Sequence, residues 1–249
     1  MKTKFIQKTL FAICLSIPVL CLYAPSAVAE VIQIDSDFDG KVDQWQHLDS
    51  QGAITKIEYD QNHDGKPDQI EYFRPGKKLE HAEFDTNGDG KIDQFQYYSE
   101  LGKLARVEKD TRLNGHIDRK EFYNEKGNLA MVEIDSSGAN KPDIWQYVNE
   151  KHKVARVEYD TERRGKIDRW DYLDENEKVN IVAFDTNASG KPDQWQYFNA
   201  LGAMEKTEYD TNHDGNPDRW EYYNDSGKLS RLELDKNFDG KPDVYQNKQ

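Results

Sequence analysis

Short runs of alternating apolar and polar residues return along this chain at a fixed step of 25 residues. Each unit is numbered here from an aspartate: Asp35, Asp60, Asp85, Asp110, Asp135, Asp160, Asp185, Asp210 and Asp235. Positions 10–14 of a unit alternate, as in Gln94-Phe95-Gln96-Tyr97-Tyr98 and Arg219-Trp220-Glu221-Tyr222-Tyr223. A period of two with aromatics predicts a half-buried strand. Positions 15–19 are turn residues, as in Asn224-Asp225-Ser226-Gly227-Lys228. Glycine in their fourth place fits a type I turn followed by a left-handed residue. Positions 20–25 alternate again, as in Leu104-Ala105-Arg106-Val107-Glu108-Lys109. Two strands and two turns therefore make one unit.

The alternation also suggests faces. Positions 11, 13, 23 and 25 carry most of the large apolar residues, among them Trp45, Trp145, Trp170, Trp195 and Trp220, and are expected to share one side. Positions 22 and 24, such as Arg106 with Glu108, are expected on the other. Tyr98 with Leu104, and Tyr223 with Leu229, would add a small cluster to that charged side. Lys109 and Lys120 break the apolar pattern. Val31–Ile34 and Val244–Gln246 match half-units at the two ends. The expected fold is all-β: an antiparallel meander of about nine 25-residue hairpin repeats, some eighteen strands, forming an elongated or rolled array. A closed barrel or a propeller-like ring is the alternative.

Between the two strands of neighbouring hairpins lies an acidic loop. Its third copy reads Asp85-Thr86-Asn87-Gly88-Asp89-Gly90-Lys91-Ile92-Asp93. Oxygen-bearing side chains at places 1, 3, 5 and 9, with glycine at 6, are the spacing of a calcium loop. Five copies keep that full set: Asp35, Asp37, Asp39 and Asp43; Asp60, Asn62, Asp64 and Asp68; Asp85, Asn87, Asp89 and Asp93; Asp210, Asn212, Asp214 and Asp218; Asp235, Asn237, Asp239 and Asp243. All-oxygen sets of this kind suit Ca2+, whereas Mg2+ demands a tighter octahedron. The seventh loop is marginal, with Ser189 at place 5. The fourth (Arg112 at place 3), fifth (Ala139 at 5, Asn140 at 6) and sixth (Arg164 at 5) are expected not to bind. In the fourth and sixth the guanidinium is expected to stand in for the ion. Aspartate persists at places 1 and 9 even there, which points to a second duty as turn caps.

These loops resemble those of EF-hands, and also the acidic loops of integrin-type (FG-GAP) β-propeller repeats. The likeness covers about nine residues of each 25. An EF-hand flanks its loop with helices, whereas strands flank it here. Proline at place 8 (Pro67, Pro142, Pro192, Pro217, Pro242) lacks the amide that would pair two EF loops. Place 12 is often glutamine (Gln46, Gln96, Gln246) in place of the EF-hand glutamate. What the resemblance implies is calcium binding in a β context.

Composition adds the setting. Lys2, Lys4 and Lys8 precede an apolar run, Phe11 to Tyr23, and Ala27-Val28-Ala29 is a small-residue cleavage site. Residues 1–29 read as a secretory signal peptide and 30–249 as one repeat domain, secreted or periplasmic. Both cysteines, Cys14 and Cys21, fall in that leader. An exported domain without disulfides needs another restraint, and bound metal can supply one. Losing the three lysines takes the net charge from −13 to −16. Such acidity argues against nucleic acid and anionic membrane as partners. No nucleophile elbow or phosphate loop is present, so an enzyme is not expected. The expected function is a calcium-stabilised structural or ligand-binding module, its protein, cell-surface or glycan ligand unspecified. A carbohydrate binder using the Trp/Tyr face is the alternative, and an outer-membrane barrel the third.

Overall fold

A computed structural model describes residues 29–248. The leader expected over residues 1–29 lies outside them except for Ala29. Eighteen strands follow in chain order. They are β1 Glu30–Ile34, β2 Gln44–Leu48, β3 Ile54–Tyr59, β4 Gln69–Arg74, β5 Lys78–Phe84, β6 Gln94–Tyr98, β7 Leu104–Lys109, β8 Arg119–Tyr123 and β9 Leu129–Ile134. The second half comprises β10 Ile144–Val148, β11 Val154–Tyr159, β12 Arg169–Leu173, β13 Val179–Phe184, β14 Gln194–Phe198, β15 Met204–Tyr209, β16 Arg219–Tyr223, β17 Leu229–Leu234 and β18 Val244–Asn247. No helix occurs among the described residues. Each strand pairs antiparallel with its sequence neighbours, and β1 and β18 are left as the two edges. The sheet is an open meander, which excludes the closed barrel and the ring.

Strands touch only the strands beside them. Among the described residues the sheet is therefore a single layer, with no second sheet packed on either face. Apolar burial has to come from neighbouring side chains within one face. It does so in one column. Position 23 holds Ile57, Ala82, Val107, Val132, Val157, Val182 and Thr207, all buried, with Val132 only 1% exposed. Opposite them in the ladder stand position-12 residues: Gln46 faces Ile57, and Glu121 faces Val132.

Register corrects the expected faces. Trp45 lies opposite Glu58, and His47 opposite Lys56, while Gln46 meets Ile57. Positions 11, 13, 22 and 24 thus share one face, and 10, 12, 14, 20, 23 and 25 share the other. The cause is in the short turn. Asp49 N–H donates to Ala53 C=O at 2.8 Å and Gly52 N–H to Asp49 C=O at 3.0 Å, which is the expected turn with its left-handed glycine (φ 79°). The register then slips by one residue between His47 and Leu48, and an equivalent slip recurs in the other hairpins. One extra residue in a strand exchanges the faces of everything beyond it.

The consequence is a mixed aromatic and charged face. Arg106 stands over the Tyr97 ring at 4.2 Å, Arg156 over Tyr147 at 4.2 Å, Lys206 over Tyr197 at 4.2 Å and Arg231 over Tyr222 at 3.9 Å. The same cations reach Glu108, Glu158, Glu208 and Glu233 at 2.7–3.1 Å. Cation–π contact and ion pairing thus tie each hairpin together. On the other face, Asp171 is buried and takes two hydrogen bonds from Arg169, at 2.7 and 2.8 Å. The two irregular lysines are paired too, each on its own face: Lys109 with Glu121 at 3.2 Å and Lys120 with Glu108 at 3.7 Å.

Candidate metal centre

A meander puts all nine acidic loops along one side of the sheet and the short hairpin turns along the other. The loops are also bonded to one another. The place-1 N–H of each loop donates to the place-9 carbonyl of the loop before it, from Asp60 to Asp43 at 2.8 Å through Asp235 to Asp218 at 2.8 Å. Two strands separate successive loops, so they stack about 10 Å apart.

Within a loop the aspartates first organise the backbone. Asp85 accepts Gly88 N–H at 2.7 Å and Asp89 N–H at 3.3 Å on one oxygen, and Gly90 N–H at 2.6 Å on the other. Burial opposes its charge, but these N–H donors outweigh burial and hold its pKa below the usual carboxylate value. Asp93 accepts the Thr86 N–H at 3.0 Å and hydroxyl at 2.7 Å. Glycine is favoured at place 6, where the backbone is left-handed: Gly90 has φ +82°.

The same bonds recur where binding was not expected. Asp110 accepts Asn114 and Gly115 N–H, Asp160 accepts Arg164 and Gly165 N–H, and Asp135 accepts Gly138, Ala139 and Asn140 N–H. Asn140 keeps the left-handed bend at φ 60°, a conformation asparagine tolerates. Places 1 and 9 therefore build the loop whatever it binds.

Places 3 and 5 are where the loops differ. In the first, ligand oxygens of Asp35, Asp37 and Asp39 come within 4.8 Å of one another. Ligands on opposite sides of one Ca2+ lie about 4.6–5.2 Å apart, so this group fits such an ion. Asp43, the fourth expected ligand, groups instead with Asp37 and with His63 of the second loop. In the second loop, Asp60 and Asp64 are joined by Asp64 N–H to Asp60, and the Asn62 amide donates to Asp68 at 2.7 Å. In the eighth, Asp210 and Asp218 cap the loop while Asn212 donates to Asp214 at 2.9 Å. Asn87 leans on Asp89 at 3.4 Å, and in the ninth loop Asn237 leans on Asp239 at 3.4 Å, between capping Asp235 and Asp243. Place 3 thus leans on the carboxylate of place 5 or of place 9, but among the described residues only the first loop brings three carboxylates within 4.8 Å of one another; an ion in the other four would have to exchange those amide bonds for metal–oxygen bonds.

The arginines meet the expectation in part: each acts on the place-9 aspartate of its own loop and also bonds elsewhere. Arg112 gives hydrogen bonds to the Asp135 and Ser136 carbonyls of the next loop, at 2.8 and 2.7 Å, with Asp118 3.6 Å away. Arg164 pairs with Glu162 at 2.9 Å; Asp168 of its loop is held below the usual carboxylate value, against burial, by hydrogen bonds from Thr161 and Glu162 and by the Arg164 charge. His63, at the variable fourth place of the second loop, stands 3.7 Å from Asp37 of the first. No sequence signal near it points to Asp37, because the contact crosses two loops.

An EF hand family model matches residues 82–94, the stretch that holds the third loop. No curated protein sequence matches the chain. Among solved structures it is similar to accessory secretory proteins 1, 2 and 3 of Streptococcus pneumoniae (TM-score 0.32, 13% identity, 45% of this chain and 20% of that one). It is also similar to a mutant of S. aureus TarM (TM-score 0.23, 14% identity, 52% and 20%). A porin-like protein from Bacteroides uniformis scores 0.18 at 10% identity, over 88% and 95%. The chain thus spans about a fifth of the first two, and scores this low carry no inference. The EF hand match and the repeated hairpins define a class: a calcium-loop repeat protein set in a β-meander.

Proposed function

We propose that the protein is an exported calcium-binding repeat protein, a structural or ligand-binding module stiffened by Ca2+ along its loop edge. The observation that carries this is the convergence of Asp35, Asp37 and Asp39 oxygens within one ion's reach. The matched stretch at 82–94 supports the same chemistry in the third loop. The second, eighth and ninth loops share its residue pattern and are assigned alike. A single-layer sheet gains little from burial, and an acidic edge repels itself, so divalent cations have much to stabilise. Export rests on the leader sequence. No catalytic role is proposed.

With free Ca2+ near 1 mM and a dissociation constant on the order of 0.1 mM, each site adds roughly 1.4 kcal/mol. Calorimetric titration with Ca2+, paired with thermal melts in Ca2+ and in chelator, tests the reading. About five ions and a large rise in melting temperature are expected. No binding heat and superimposable melts would refute it.

A second reading has its own observation. Among the described residues no other layer covers the face bearing Trp45, Trp145, Trp170, Trp195 and Trp220, and these residues are half-buried. That suits a glycan-binding face. Sugar-dependent tryptophan emission would support it, and emission indifferent to every glycan offered would remove it.

A further inference from the structure

Place 4 of every loop has a left-handed backbone, whatever its residue: Phe38, His63, Gly88, Leu113, Gly138, Arg163, Ala188, His213 and Phe238 all have φ between 55° and 77°. This bend accompanies a recurrent contact, in which place 4 lies over the loop before it. His63 Nε2 is 3.7 Å from Asp37 of the first loop. A Cβ on Gly88 would touch Asn62, and one on Gly138 would touch Arg112. Arg163 stands 3.7 Å from Asp143, and His213 lies 2.8 Å from the Asn187 amide and 4.0 Å from Asp193. The place-4 residue therefore meets places 3 and 9 of the preceding loop.

What it meets depends on the junction. His213 faces one carboxylate and one amide. Arg163 is itself a cation. Gly88 and Gly138 bring no side chain. At the first junction an imidazole meets two carboxylates, and atoms of Asp37, Asp43 and His63 lie within 4.8 Å of one another. Two ligands held tetrahedrally about 2.0–2.1 Å from one Zn2+ are about 3.4 Å apart, close to the spacing of His63 and Asp37. Asp43 is 6% exposed and anchored by Ser36, while Asp37 and His63 have side chains 47% and 37% exposed. The group is thus fixed at one corner and open to an arriving ion and its waters.

We propose that Asp37, Asp43 and His63 form a site for a first-row transition divalent cation, which shares Asp37 and Asp43 with the first all-oxygen loop and differs from it by the imidazole. Imidazole suits Zn2+, Ni2+ and similar ions, while Ca2+ takes oxygen ligands. The site does not require that any loop bind Ca2+.

The test uses Zn2+ alone as probe, by calorimetry on the purified protein, with His63→Gln and His213→Gln as a matched pair. Both side chains sit at a place where Leu, Ala, Arg and Phe occur in sister loops, so folding is expected to survive, checked by circular dichroism. Wild type and His213→Gln should each bind one Zn2+ tightly. His63→Gln should lose that ion or bind it at least about tenfold more weakly, since even indirect supporting groups cost that much. Paramagnetic Co2+ should broaden the His63 ring resonances first. Zn2+ binding unchanged in His63→Gln, or equally weakened in His213→Gln, overturns the proposal. Separate calcium and zinc titrations of the wild type distinguish the two readings: zinc without calcium leaves this site standing alone, and calcium without zinc removes it.

Discussion

Replacing Asp85 and Asp135 separately by alanine divides what a loop owes to hydrogen bonding from what it owes to metal. Both aspartates occupy place 1. Asp85 holds three N–H groups, and Asp135 holds those of Ser137, Gly138, Ala139 and Asn140. Loss of a capping carboxylate costs about 0.5–2 kcal/mol, and with several donors released at once the upper end applies, about 2 kcal/mol. For a domain of this size that lowers Tm by about 4–8 °C, equally for both variants in chelator. Calcium then separates them. Asp135→Ala should rise with 1 mM Ca2+ as wild type does, because its loop lacks the place-5 ligand. Asp85→Ala should rise by less, short by roughly 1.4 kcal/mol or about 3–6 °C. Thermal melts give the totals, and hydrogen exchange at the Gly88 and Gly138 amides localises them, which matters in a repeat array where ends and centre need not melt together. An Asp135→Ala protein that melts like wild type in chelator would refute the capping argument. An Asp85→Ala protein with the full calcium response would show that the third loop is not a site.

Further outcomes follow from the sheet and the loops. Arg169→Gln leaves Asp171 buried without its two-pronged partner and should cost about 2–3 kcal/mol in urea melts, somewhat below a fully buried pair because Arg169 is partly exposed; an unchanged midpoint would refute that account. Val132→Asp puts a carboxylate in the buried column directly opposite Glu121 and should abolish cooperative unfolding by circular dichroism, whereas Val132→Ala, the residue already found at Ala82, should cost only about 1–2 kcal/mol. Asp85, Asp110 and Asp135 all have lowered pKa values, since burial raises them less than backbone N–H groups, joined at Asp135 by the Ser137 hydroxyl, lower them. Folded values below the unfolded value of about 3.9 mean that this stability is present above pH 4 and lost as pH falls through the folded values. Acid melts in chelator should therefore steepen below pH 4 and stay flat from pH 5 to 7.

The repeat, the strands, both turn types and the antiparallel all-β meander were legible in the sequence, because each rests on local chemistry. Alternation fixes a strand, and the left-handed Gly52 or Gly90 fixes a turn. Asp85 and Asp93 fix the loop between them through bonds that span at most seven residues. The expectation that aspartates at places 1 and 9 cap turns held for the same reason.

What tertiary structure alone decided is everything that depends on summing small offsets or on bringing distant loops together. The faces turned on the single extra residue past the short turn, Thr55, which moved Trp45 from the side of Ile57 to the side of Glu58. Whether β1 and β18 meet depends on twist accumulated over all eighteen strands, to which no one repeat is sensitive. The approach of His63 to Asp37 and Asp43 comes from stacking loops two strand spacings apart, a distance set by backbone hydrogen bonds between repeats. A sequence fixes such local geometry residue by residue, but the contact between one loop and the next exists only once the sheet has formed.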